Sequence, residues 1–194
     1  MRKSAVERKT KETQIELKLN IDGSGKYEIS TGVRFFDHML EQFCAHGCFD
    51  IELKANSLDG DSHHSIEDVG IVLGQAFKEA LKDKRGIKRY GSMFLPMDEA
   101  LVMAVVDLSG RAFCNTDVKL NDERVSDFET VLLGHFFSSF AQNLLCAVHI
   151  KLLDGIDTHH IIEATFKSFA RALKTACEID EKNPNEVPST KGVL

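Results

Sequence analysis

Apolar runs are short throughout the chain, and none approaches the roughly 18 residues of a membrane-spanning helix. The opening Met1-Arg2-Lys3-Ser4-Ala5-Val6-Glu7 is charged with no apolar segment behind it, so no secretory leader is expected. Positive charge is in deficit, 24 Lys and Arg against 30 Asp and Glu for a net charge of −6. A phosphate-backbone binder is usually basic, so nucleic acid is an unexpected partner. Proline is scarce (three residues) and glycine ordinary (13), which excludes collagen-like and low-complexity chains. The five cysteines, Cys44, Cys48, Cys114, Cys146 and Cys177, contain no Cys-x-x-Cys. An odd count in a chain of this length predicts free thiols and a reducing, cytoplasmic setting. Cys44 and Cys48, one helical turn apart, read as small buried residues. No Gly- or Ser-rich linker interrupts the 194 residues, so one domain is expected.

What the chain does have is histidine: His38, His46, His63, His64, His135, His149, His159 and His160. Their placement repeats. Asp61-Ser62-His63-His64-Ser65-Ile66-Glu67 and Asp157-Thr158-His159-His160-Ile161-Ile162-Glu163 both read D-[ST]-H-H-x-I-E. A lone histidine precedes each pair, His38 by 25 residues before His63 and His135 by 24 before His159. Matching positions are offset by 96 to 97 residues. Such self-similarity marks an internal duplication, with pseudo-repeats of approximately 1–90 and 91–180 and a C-terminal tail over 181–194.

Thr13–Leu19 alternates polar and apolar residues, as a half-buried strand does. Asp22-Gly23-Ser24-Gly25 is a turn, and Lys26–Ser30 is expected to return beside it as a hairpin. In the second half Leu101–Val106 is a buried strand, Asp107-Leu108-Ser109-Gly110 the turn, and Arg111 begins the return. Helices are expected at about 33–46 and 128–146, followed by strands at Ile51–Ala55 and Ala147–Leu153. A His-His-x-x-Glu helix then closes each half. In the second of these, Ile162, Phe166, Phe169 and Leu173 recur at spacings of 4, 3 and 4. Asp61 or Ser62, and Asp157 or Thr158, stand where N-caps belong. The expected fold is α+β, two β-β-α-β-α halves with sheets packed against helices. The segment from Asp180, with Pro184 and Pro188, is a polar extension.

On a helix, positions i, i+3 and i+4 share a face, so Glu67 neighbours His63 and His64, and Glu163 neighbours His159 and His160. Adjacent histidines diverge by about 100°, so each pair suits two different metals better than one. With His38 and His135 the chain offers two sets of three histidines and one glutamate. Absence of cysteine from the sets argues against structural zinc; imidazole with carboxylate suits Mn, Fe, Co, Ni or Zn. Divergent histidines cannot all reach one point inside a small domain, so sites shared between subunits are expected. His46 and His149 have no repeat partner and read as structural.

Lys167 follows Glu163 by four residues and His160 by seven, which puts it on the same helical face. Arg89, Arg111 and Lys191 add basic residues near predicted turns and ends. Together with the metals they suggest a phosphate subsite. Two other readings share the metals. A binuclear phosphoester hydrolase often carries a bridging Asp, and no Asp recurs with the ligand sets. A metal-storage or scaffold protein leaves the basic residues without a role.

Several segments are more specific: Thr10-Lys11-Glu12-Thr13, Phe36-Asp37-His38-Met39-Leu40, the Asp61–Asp68 segment, Arg85-Gly86-Ile87-x-Arg89, Asp107-Leu108-Ser109-Gly110-Arg111, His159 through Lys167, and Ser189-Thr190-Lys191-Gly192-Val193-Leu194. In order and spacing, over nearly the whole chain, these resemble the imidazoleglycerol-phosphate dehydratase family of histidine biosynthesis. Ser62 and Ser65 stand where Asp and Thr are more usual, and Gly134 where Glu is common; no ligand position is lost. The phosphatase domain fused to some relatives has no counterpart, which implies a monofunctional chain.

The resemblance implies a ribosomal protein S5 domain 2-like fold. It implies loss of water from D-erythro-imidazole glycerol phosphate to give imidazole acetol phosphate in L-histidine biosynthesis. Two Mn²⁺ per active site would bind the substrate ring as imidazolate, with a diazafulvene-like intermediate. His38, His63, His64, Glu67, His135, His159, His160 and Glu163 are the implied ligands. Glu12 and Glu163 are the implied acid or base groups. Arg89, Arg111, Lys167, Ser189 and Lys191 would hold the phosphate, with Gln42 and Glu12 as further substrate contacts and Lys191 closing over it. A 24-subunit homo-oligomeric shell with shared sites is also implied.

Overall fold

The computed structural model describes residues 1–194 as ten strands and four helices. In chain order they are β1 (Lys3–Lys9), β2 (Thr13–Asn20), β3 (Tyr27–Ser30), α1 (Arg34–Gly47), β4 (Asp50–Ser57), α2 (Ser62–Leu81), β5 (Tyr90–Met97), β6 (Ala100–Asp107), β7 (Phe113–Asp117), β8 (Arg124–Val125), β9 (Phe128–Glu129), α3 (Leu132–Leu144), β10 (Ala147–Asp154) and α4 (Thr158–Cys177). The fold is α+β. One four-stranded sheet has the order β1-β2-β4-β3 and the other β5-β6-β10-β7, the same arrangement twice. No helix is long and apolar enough to cross a membrane.

Each four-stranded sheet carries one edge strand more than its sequence pattern suggests, and the second half adds the short β8–β9 pair. β1 and β5 are edge strands. Val6 is the single buried side chain of β1, and β5 contains Gly91 and Pro96, which edge strands tolerate. Neither shows a clean apolar alternation.

The expected hairpin between Thr13–Leu19 and Lys26–Ser30 does not form. β2 pairs antiparallel with β1 and β4, whereas β3 pairs in parallel with β4. The second half repeats this, with β7 parallel to β10 and β6 between β5 and β10. In the first half one side chain from further along the chain holds the turn. Asp50, opening β4, accepts the N–H groups of Ser24, Gly25 and Lys26 on one carboxylate oxygen. The turn wraps that side chain and is carried past β4 to its far edge. A parallel pair needs a crossover, and α1 and α3 supply it.

The helices lie between the two sheets. α2 packs on β1 and β2, α4 on β5 and β6, α2 on α3, and α1 on α4. Eight phenylalanines, Phe36, Phe43, Phe77, Phe136, Phe137, Phe140, Phe166 and Phe169, meet there in edge and stacked pairs with ring centroids near 5 to 6 Å. Forty-nine buried residues from both halves form one core. Cys44 is buried in it, while Cys48 at the α1 terminus is only half-buried. α2 and α3 approach closely because Gly70 and Gly74 face α3: a Cβ at Gly74 would sit 2.6 Å from the Phe140 carbonyl oxygen.

The tail docks on the body instead of standing free. Gly86 N–H donates to the Glu186 carbonyl, and the Arg85 guanidinium to that of Asn185.

Candidate metal and active site

The site residues begin at the first turns of α2 and α4. Asp61 caps α2 by accepting the His63 N–H at 2.8 Å, and Asp157 caps α4 through the N–H groups of His159 and His160. These aspartates are the caps, not Ser62 or Thr158. With the helix start fixed, the paired histidines must point different ways.

The first histidine of each pair meets the lone histidine of the other half. His159 Nε2 lies 3.2 Å and His38 Nε2 3.3 Å from Glu163 Oε2, and one donor atom from each of the three falls within 4.8 Å of the others. His63 lies 3.6 Å from Glu67 and packs against the tilted ring of His135 with ring centroids 4.7 Å apart. The sequence pattern suggests that each half keeps its own histidine; the fold exchanges them. The reason is packing, since α1 rests on α4 and α3 on α2. His38 is anchored by α1, whose N-terminus is capped from outside the helix. Asp127, between β8 and β9, accepts the N–H groups of Arg34 and Phe35 at 2.7 and 3.0 Å.

Glu163 is buried, yet its carboxyl stays below the usual carboxylate range. Burial pushes it up, but the Lys167 ammonium at 2.5 Å, with His159 and His38, outweighs that. Around it the site is open: His38, His63 and His159 keep 42, 41 and 43% of their side chains exposed.

The second histidines look outward onto carboxylates that pattern reading does not reveal. His64 Nδ1 meets Asp59 at 2.7 Å and His160 Nδ1 meets Glu99 at 2.8 Å. Each histidine is held above its ordinary pKa by that hydrogen bond. Glu99 is pulled down to about 2 by His160 and then by the Asp157 N–H. Asp59 lies two residues before the α2 cap and is detectable as a local Asx position. Glu99 is 61 residues from His160 and carries no such signal.

Glu12 joins the His64 side, with donor atoms of Glu12, Asp59 and His64 all within 4.8 Å. The Thr-Lys-Glu-Thr segment is built to hold it. Thr10 Oγ1 accepts the N–H groups of both Glu12 and Thr13 at 3.0 Å, which closes a tight turn. The buried Thr13 hydroxyl donates to Asp68 of α2, which Arg8 also holds at 3.0 Å.

The predicted anion-binding residues divide in two. Lys167 belongs with Glu163, and Gln42 lies half-buried on α1 one turn after His38. Arg89, Arg111, Ser189 and Lys191 gather elsewhere. Arg89 N–H donates to Ala176 near the end of α4, thirteen residues past Glu163, or about 20 Å along the axis. The docked tail brings Ser189 and Lys191 to that end, and Gly110 touches Leu194 beside Arg111. Arg89 is engaged by Asp107 at 2.8 Å and by the Pro188 carbonyl, and lies over Tyr90. His46 is half-buried near Lys167 and Arg171, and its pKa is lowered first by burial and then by those charges. His149 lies on the outward face of β10 against Phe113.

Comparison with known proteins gives a single answer. The imidazoleglycerol-phosphate dehydratase family model matches residues 31–173. A curated protein of that name from Acetivibrio thermocellus is 55% identical over 194 residues, covering 100% of this chain and 99% of its own. Another from Koribacter versatilis is 53% identical over 195 residues with full coverage of both. The crystal structure of the Staphylococcus aureus imidazoleglycerol-phosphate dehydratase superposes with a TM-score of 0.84 at 39% identity, covering 92% of this chain and 99% of the other. The Pyrococcus furiosus structure, a complex with (S)-C348, gives 0.85 at 38% identity, covering 97% and 100%. The chain belongs to the imidazoleglycerol-phosphate dehydratase family and is a hydro-lyase.

Proposed function

We propose that the chain converts D-erythro-imidazole glycerol phosphate to imidazole acetol phosphate and water, in sites that several copies build together around two Mn²⁺ each. The observation that carries this reading is the separation along α4. The His38–His159–Glu163 group stands at one end of the helix, and Arg89, Arg111 and the tail at the other. Only three carbons join ring to phosphate in the substrate, so one copy cannot hold both ends at these places. A neighbouring copy would supply the missing half.

The donor set fits a divalent first-row ion, with two imidazoles and a carboxylate converging on an open face. His63, Glu67 and His135 would hold the second, with His64 and His160 as ligands to ions shared between copies. When bound, such ions would supply Lewis acidity to the substrate's imidazole ring.

The chain's own residues do the rest. The C–O bond breaks, the neighbouring carbon loses its proton, and the enol formed becomes the ketone. Glu12, exposed on a fixed turn, takes or returns a proton there. Glu163 stays charged beside Lys167 and serves as ligand and second acid–base group. Arg89, Arg111, Lys167, Ser189 and Lys191 hold the phosphate, with Gln42 as a further contact, and so orient the reacting carbons.

The outward face of the second sheet supports association of copies, which the family resemblance makes a 24-subunit shell in this proposal. Phe94, Phe113 and Leu153 are exposed there, beside half-buried Leu101, Met103 and Val105. Five unpaired cysteines support a cytoplasmic setting. Product analysis tests the chemistry. The expected result is imidazole acetol phosphate without inorganic phosphate; phosphate release would replace the dehydratase reading with a phosphoester hydrolase.

A further inference from the structure

The two His-His-x-x-Glu helices are held at their second histidine by the same pair of contacts, made by carboxylates from unrelated places in the chain. In the first half Asp59 comes from the loop ahead of α2. Its Oδ1 accepts the N–H of the cap residue Asp61 at 3.0 Å, and its Oδ2 meets His64 Nδ1 at 2.7 Å. In the second half Glu99 comes from the tip of the β5–β6 hairpin. Its Oε1 accepts the N–H of the cap residue Asp157 at 2.8 Å, and its Oε2 meets His160 Nδ1 at 2.8 Å. A carboxylate at Nδ1 fixes the ring hydrogen on that nitrogen and orients the ring, leaving Nε2 as the ligand atom. Asp98, also at the hairpin tip, lies 3.8 Å from His160 Nε2, beyond hydrogen-bond distance, and is largely exposed.

The hairpin tip has a counterpart in the first half. Glu99 immediately precedes β6, and Glu12 immediately precedes β2. Glu12 is near enough to compete for His64, since their donor atoms and that of Asp59 lie within 4.8 Å of one another. Its carboxylate nevertheless makes no hydrogen bond, and Asp59 occupies Nδ1.

We propose that Asp59 and Glu99 are matched positioning residues that present Nε2 of His64 and His160 to metal. By taking His64, Asp59 leaves Glu12 free for proton transfer, whereas the equivalent glutamate of the second half is committed to holding a ligand. This rests on the metal reading above and adds which residues set the ligands and why the two hairpin tips differ.

Mn²⁺ titration of the metal-stripped protein, followed by the electron paramagnetic resonance of free Mn²⁺, tests it. Thermal melting without metal would accompany each titration. Asp59→Ala and Glu99→Ala are expected to weaken Mn²⁺ binding by about 10- to 100-fold, with melting little changed. Glu99→Gln, whose amide oxygen still accepts from Nδ1, should fall between Glu99→Ala and wild type. Glu12→Gln should leave Mn²⁺ affinity unchanged while slowing turnover. Absence of Mn²⁺ uptake by the wild type would overturn the metal reading itself. Normal wild-type uptake with unchanged affinity in Asp59→Ala and Glu99→Ala would overturn the positioning inference alone. Should an alanine variant fail to fold, wild-type affinity in Glu99→Gln and Asp59→Asn would do the same. Weakened binding in Glu12→Gln would overturn the division of labour between Glu12 and Asp59.

Discussion

The two sheets share a strand order and differ in what they turn outward. The first shows Glu7, Glu16, Lys18, Glu28, Glu52 and Lys54. The second shows Phe94, Leu101, Met103, Val105, Phe113 and Leu153. One face is made for water; the other presents apolar surface of the kind that proteins cover with a partner. The same divergence runs through the helices and hairpins. Gly70 and Gly74 of α2 occupy the places that Phe166 and Ala170 hold in α4. Glu12 is free where Glu99 is bound. The backbone has kept one plan, and the side chains have made one outward face polar and the other apolar.

The two hairpin tips should differ most. Glu12→Gln should reduce kcat by about 10²- to 10⁴-fold, the usual weight of a general acid or base, with phosphate-end binding intact. Steady-state kinetics at saturating substrate would show it; a change confined to KM would contradict the role. Next in size is the outward face. Phe94→Glu should lower the particle mass in light scattering, since each buried phenylalanine contributes about 2 kcal/mol. Turnover per chain should fall with it. Glu16→Ala on the first sheet should change neither.

The glycine contrast predicts a stability effect. Gly74→Ala should destabilise by about 1–3 kcal/mol, because the added methyl meets backbone of α3. Ala170→Gly in α4 should cost only about 1 kcal/mol, the helix-propensity difference. Chemical denaturation would rank the two, and the reverse order would refute the packing argument. The smallest effect concerns the borrowed cap of α1, which α3 lacks. Asp127→Ala should cost about 0.5–2 kcal/mol. Burial pushes the Asp127 carboxyl up, but the Arg34 and Phe35 N–H groups hold it below its ordinary 3.8. Asp50 is likewise held below 3.8 by the Ser24–Lys26 turn against its burial. A depressed folded pKa gives stabilisation that is complete above 3.8 and lost as pH falls through the folded value. Melting temperature should therefore drop below pH 4, and less steeply in Asp127→Ala than in wild type.

Much of this was legible in the residues themselves. His-His-x-x-Glu, its aspartate caps and the apolar stripe of α4 depend on local spacing, and helical geometry converts spacing directly into position. β1 and β5 were not legible, because edge strands bury one face thinly and show little alternation. The parallel pairing of β3 was hidden as well, since Asp50 redirects the chain from 24 residues away. The exchange of His38 and His135 between halves depends on which helix packs on which, a tertiary fact with no local trace. Glu99 escaped for the same reason. Asp59, beside the cap it serves, was within reach of sequence logic.

Metal sites completed between copies would tie turnover to assembly. The measurement that tests it most directly is turnover of imidazole glycerol phosphate by metal-stripped protein before and after Mn²⁺, with particle mass recorded in both states. Imidazole acetol phosphate formation and a large assembly are expected to appear together on adding Mn²⁺. Full turnover by a single-chain species, or Mn²⁺ binding with neither assembly nor turnover, would contradict it.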